Sequence, residues 1–152
     1  MHTIPQILRT AGIRYQDYSR APNQGVFLTM ACQLLGSYRS LTRFRIGRSE
    51  YAGWHAHHIV QKSDLARLGI ASQFPVYEEQ ICVLIPRMGH EDRINRILND
   101  QSPHGLIVNA LELRGAYRHA YEMLGNYCGG GEMPIREELM KIVSAVFRSA
   151  GV

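Results

Sequence analysis

Three of the chain's seven histidines fall within four residues, at His55, His57 and His58. Imidazole titrates near neutral pH and also ligates divalent metals, so this cluster points to a metal site or to acid–base catalysis. Three rings this close make poor core material, because each brings polar nitrogens that need partners. The plainer alternative is a His-rich surface strand. Trp54–Gln61 (WHAHHIVQ) is aromatic and β-branched, and reads as a strand. Along a strand His55 and His57 share one face, and His58 points to the other.

The elements that must position these side chains follow from pattern. Ser63 reads as the cap of a short helix ending near Gly69. Residues 74–80 hold Pro75 and two acids and read as a loop. Ile81–Ile85 (ICVLI) reads as a short buried strand, stopped by Pro86. His90 opens a helix whose apolar stripe is Ile94, Ile97 and Leu98. The result is a strand, loop, strand, helix unit of about 40 residues, with histidines on its first strand and at its helix start.

This unit resembles the ββα-metal core of the HNH and endonuclease VII superfamily. The residues that carry the resemblance are Ala56–Val60 (AHHIV), Val83–Arg87 (VLIPR) and His90. The triplet Ala56-His57-His58 looks like the AHH-type branch found among bacterial polymorphic toxin nucleases. The resemblance covers roughly residues 53–99 and extends to neither flank. It implies two short antiparallel strands and a helix around one divalent ion (Mg, Mn, Zn or Ni). In that scheme His57 and His90 are the metal ligands, and His58 is the general base. The family's middle Asn, which braces the loop before the second strand, has no counterpart. Ile81 stands there with Gln80 beside it, so either Gln80 substitutes after a one-residue shift or the loop is braced differently.

The chemistry needs such groups. A phosphodiester is anionic and has a poor alkoxide leaving group. A metal polarises the phosphate, and a neutral imidazole deprotonates water. Activity is then expected to rise with pH through the ordinary His value, about 6.5. Arg87 is a second catalytic candidate, as a clamp on a phosphate oxygen, against an ordinary surface arginine. His55 and His119 are candidates for a further ligand or a phosphate contact, or are bystanders. Trp54 either stacks on a base or packs. Glu78 and Glu79 either touch the metal or are solvated loop acids. His2 and His104 have no partners that the sequence names.

The chain has 152 residues, 45% hydrophobic and 20% charged, which fits one domain over 1–152 and excludes disorder or a repeat array. The formal charge is +4, and of the 17 basic residues only Lys62 and Lys141 are lysine. Arginine's planar fork suits phosphate. The densest basic cluster is Arg39, Arg43, Arg45 and Arg48. Leu41–Ile46 alternates like a half-buried strand, so the cluster is either a phosphate-tracking stripe or a solvated edge.

Elsewhere, residues 3–11 read as a helix capped by Thr3, with Pro5 in its first turn. Residues 14–24 read as a loop. Gly25–Leu35 shows helical spacing, with Gly36 as a stop. Ile107–Leu124 reads as a long helix, and a last helix opens at Pro134. The expected class is α+β: a ββα-metal core of two short strands surrounded by about six helices. Cys32, Cys82 and Cys128 form no Cys-x-x-Cys pair and suit buried thiols in a reducing compartment. The longest apolar run, Val26–Leu35, falls short of the about 20 residues that span a membrane. The N-terminus carries no signal-peptide pattern. These features suit a soluble protein with no membrane partner. As a toxin effector it would act in the cytoplasm of the producing or target bacterium, with delivery by a secretion system.

Two function classes follow. The first is an HNH-type endonuclease acting on DNA, whose resemblance implies a cognate immunity protein. The second is a non-catalytic module held by structural zinc, with the arginines binding nucleic acid. Structural zinc sites usually take four ligands and favour Cys, and here Cys82 reads as core. A third, plainer class is a small helical interaction protein that binds no metal.

Overall fold

The computed structural model describes residues 3–18, 25–30, 33–86, 111–115 and 133–152. Five strands form one antiparallel sheet: β1 (Tyr15–Asp17), β2 (Val26–Thr29), β3 (Leu34–Ser37), β4 (Trp54–His58) and β5 (Ile81–Pro86). Their spatial order is β1-β2-β3-β5-β4, which puts β4 at an edge. Four helices pack on it: α1 (Ile4–Thr10), α2 (Tyr38–Arg45), α3 (Lys62–Arg67) and α4 (Met133–Ala150). Residues 111–115 are helical too. The class is α+β. No described helix is long and apolar enough to cross a membrane.

Both faces of the sheet are covered. On one face Phe27, Leu35, Val83 and Ile85 pack with Ile7 and Leu8 of α1 and with Ile142 and Phe147 of α4. On the other, Val26, Leu34, Cys82 and Leu84 pack with Leu41 and Phe44 of α2. The run ICVLI is therefore apolar throughout, because alternate residues enter different cores.

The same fact corrects the helix expected over Gly25–Leu35. This stretch is the β2–β3 hairpin, with Val26 opposite Gly36 and Phe27 opposite Leu35. Apolar residues on two buried faces, interrupted by a turn, mimic helical spacing. Gly36 is no helix stop. A Cβ there would lie 2.7 Å from the Gly25 carbonyl oxygen, so the strands meet only because it is glycine. The loop expected over 14–24 contains β1.

The strand expected over Leu41–Ile46 is α2. Ser37 caps it by accepting a hydrogen bond from Ser40 N (3.0 Å), and Leu41 and Phe44, three apart, are the buried pair. Alternation over so few residues carried less information than the cap upstream. α1 starts as expected, with a capping box between Thr3 and Gln6. α3 begins at Lys62, so Ser63 lies inside it and Gln61 takes the cap position.

Two strands were expected, and five are present among the described residues. The pair β4–β5 is antiparallel as expected, but β5 also pairs with β3. The described residues therefore do not form a self-standing ββα-metal core, because its two strands are the edge of a larger sheet. The helix expected over His90–Leu98 lies outside the described residues. A buried network ties the hairpin to α4: Glu138 Oε1 accepts from Thr29 Oγ1 (2.6 Å) and Gln33 Nε2 (2.7 Å).

Candidate active site

β4 carries the histidine cluster, and its register fixes what each ring faces. His57 lies opposite Val83 and His58 opposite Cys82. Directly paired residues share a sheet face, so His57 faces the α1–α4 core and His58 faces α2. His57 is 6% exposed. Burial, and secondly the neighbouring His58, push its pKa down to about 4, so it is a neutral imidazole at pH 7. His55 is half-buried and alternates onto the His57 face.

His58 is half-buried among rings. It stacks on Tyr77 (centroids 4.1 Å apart, 27°) and on Tyr38 (5.0 Å, 25°), and the two tyrosines meet at 5.0 Å. Its Nε2 lies 3.0 Å from the Tyr77 carbonyl oxygen. A carbonyl only accepts, so Nε2 carries the proton and Nδ1 holds the basic lone pair. Burial lowers the His58 pKa, and the bond to Tyr77 partly opposes this by favouring the charged ring. Tyr77 follows from sequence only as a loop aromatic, and Tyr38 not at all, because nothing local ties either to position 58.

The loop that supplies the Tyr77 carbonyl is held at several points. Gln80 Nε2 donates to the Pro75 carbonyl (2.9 Å), closing residues 75–80 on themselves. Gln80 O accepts from Tyr38 N (3.2 Å). Lys62 Nζ sits 5.4 Å from the centre of the Tyr77 ring. The Gln80 side chain therefore braces the 75–80 loop internally.

The basic cluster does not form a strand stripe. Arg39 pairs with Glu78 (2.5 Å) and Glu79 (3.1 Å), which places those acids on a guanidinium. Arg45 Nη1 donates to the Trp54 carbonyl. Arg48 donates to Phe44 O (3.2 Å) and lies 4.4 Å from the centre of its ring. Arg43 is exposed on α2. Trp54 packs edge-on to Tyr51 (5.3 Å) against the α2 core. Cys82 is fully buried, and desolvation raises its thiol pKa far above neutrality.

Arg87, His90 and His119 lie outside the described residues. Among the described residues no three His, Cys, Asp or Glu side chains gather to hold a metal ion. Of the two ligands the resemblance implies, His57 is buried against the α1–α4 core and His90 is not among the described residues, so the described residues do not make up an ion site. No protein-family model, curated protein or solved structure matches the chain.

Proposed function

We propose that this chain is a metal-dependent endonuclease that hydrolyses the phosphodiester bonds of DNA, with His58 as general base, in the manner of the AHH-type HNH toxin nucleases it resembles. The observation that carries this reading is the His58–Tyr77 bond. It fixes one ring nitrogen on a loop carbonyl, and leaves the other with a lone pair in a ring kept neutral by burial. A surface histidine would need neither the tether nor the stacked tyrosines.

The residues divide the work. His58 takes a proton from water at Nδ1, and the Tyr77 carbonyl steadies the imidazolium that results. Gln80 holds the loop so that this carbonyl stays in place. His57, with His90, is the pair the resemblance implies for metal binding. A bound Mg, Mn, Zn or Ni ion would polarise the phosphate and stabilise the departing oxygen. His57 and His58 point to opposite faces, but β4 is an edge strand of the described sheet. We place the phosphate at that edge on the His58 side, because the His57 ring is buried against the α1–α4 core. Arg87, and Arg43 on the exposed side of α2, are the arginines we assign to the DNA backbone.

The toxin reading carries a partner with it. A protein of net charge +4 would be neutralised by an immunity protein with an acidic face. The site of action would then be the bacterial cytoplasm.

Plasmid cleavage with Mg, Mn, Ni or Zn, comparing parent with His58→Ala, tests the proposal. Loss of cutting with an intact circular-dichroism spectrum is the expected result. Equal cutting by both proteins removes His58 from the chemistry.

A further inference from the structure

The first turn of α2 and the Tyr77 loop are joined by more contacts than loop closure needs. Tyr38 contributes its backbone N–H to Gln80 O and its ring to both His58 and Tyr77. The next residue, Arg39, spans two consecutive loop carboxylates: Nη2 on Glu78 Oε2 (2.5 Å) and Nε on Glu79 Oε1 (3.1 Å). Glu78 directly follows the residue whose carbonyl holds His58. The single turn Tyr77–Glu79 is thus gripped from α2 on one side and closed by Gln80 on the other.

We infer that Arg39 is a positioning residue that holds the Tyr77 carbonyl on His58, and is not a contact to nucleic acid. Its guanidinium is occupied by two acids, so presenting it to a phosphate would leave both uncompensated. The pairs are about half exposed, and pairs of that kind add little to global stability. Their effect is local: they set where one short turn sits. Small displacements of a group that orients a base cost rate far more than they cost folding.

The inference rests on His58 serving as the base, and the test has two arms. In the kinetic arm, Arg39→Ala should lower kcat about fivefold to twentyfold with KM changed by less than about twofold. Glu78→Arg with Glu79→Arg should do the same, and adding Arg39→Glu to that pair should restore at least about half of the lost rate. A phosphate contact predicts the reverse: KM rises, the salt dependence of binding flattens by about one ion, and the swap deepens the defect. That outcome overturns the inference.

The second arm does not use activity. The His58 Nε2–H proton should give a slowly exchanging signal in the parent's nitrogen-15 spectrum, which Arg39→Ala should lose to solvent exchange. The same protected signal in both proteins, or no protected signal in the parent, overturns the inference. If parent and His58→Ala cut equally, the nuclease reading fails, and this arm still decides whether Arg39 holds the loop.

Discussion

The His58 ring is held by one residue in two ways: Tyr77 accepts its Nε2 proton at 3.0 Å and lays its own ring against it at 4.1 Å. Donation and stacking together leave the imidazole one orientation, with Nδ1 the nitrogen that can take a proton. With His58 as the proposed base, replacing it by Ala removes that base while leaving β4 in place, since the ring is only half-buried. Cleavage should fall about a hundredfold or more, the usual contribution of a positioned general base. Supercoiled plasmid assays beside circular dichroism check it.

The pH profile follows from the same surroundings. A base works in its neutral form, and burial lowers the His58 pKa from 6.5. The acid limb of kcat/KM should therefore lie below the ordinary value, not at it as composition alone suggests. A limb at or above about 6.5 would mean that another group titrates.

His57 makes a prediction about stability. In the metal-free protein its folded pKa is about 4 against 6.5 for an ordinary histidine. Between those values the unfolded chain binds more protons, so stability is full above about pH 6.5 and is lost as pH falls toward 4. The limiting loss is about 3 kcal/mol. Urea unfolding in chelator across this range should show the decline in the parent. His57→Leu should flatten it.

Part of this was legible beforehand and part was not. β4 and β5 follow from composition, because β-branched and aromatic residues between turn signals leave few other choices. The hairpin Val26–Ser37 did not follow, because a sheet covered on both faces loses the period-two signal. α2 was hidden for a different reason: six residues cannot distinguish alternation from a three-residue repeat without the Ser37 cap. At the site, the histidines announce themselves by type. Tyr38 and Tyr77 reach His58, and Arg39 reaches the acids of the Tyr77 loop, only through the fold, and no local spacing encodes those contacts.

Metal removal separates the two function classes. If the ion is catalytic, chelator should abolish cutting and leave the far-ultraviolet spectrum and the melting transition of the sheet nearly unchanged. If zinc is structural, chelator should unfold the chain. His57→Ala and His90→Ala should each weaken metal affinity, measured by calorimetric titration, by about tenfold or more.

Gln80 supplies a graded test of the loop. Its amide closes residues 75–80 by donating to the Pro75 carbonyl at 2.9 Å. Gln80→Ala removes one partly buried bond, worth about 1 kcal/mol of stability. The rate should fall about tenfold, because the Tyr77 carbonyl loses its support. A stability loss of that size with unchanged kcat would show that the brace does not reach His58.

Far from the histidines, Glu138 gives a purely structural prediction. Its carboxylate oxygen accepts hydrogen bonds from Thr29 and Gln33, all three residues being buried. These bonds lock the β2–β3 hairpin onto α4, and β3 in turn pairs with β5. Glu138→Ala strands two buried donors, and each unsatisfied group costs about 1–3 kcal/mol. Changing Gln33 to Leu and Thr29 to Val together with Glu138→Leu removes both side-chain donors and their acceptor, leaves the Gln33 N–H without Thr29 Oγ1 (3.2 Å), and should recover part of that loss. Denaturant midpoints for the single and triple variants decide it: a triple variant no more stable than Glu138→Ala would mean that the network is needed for its geometry as well as its satisfied bonds.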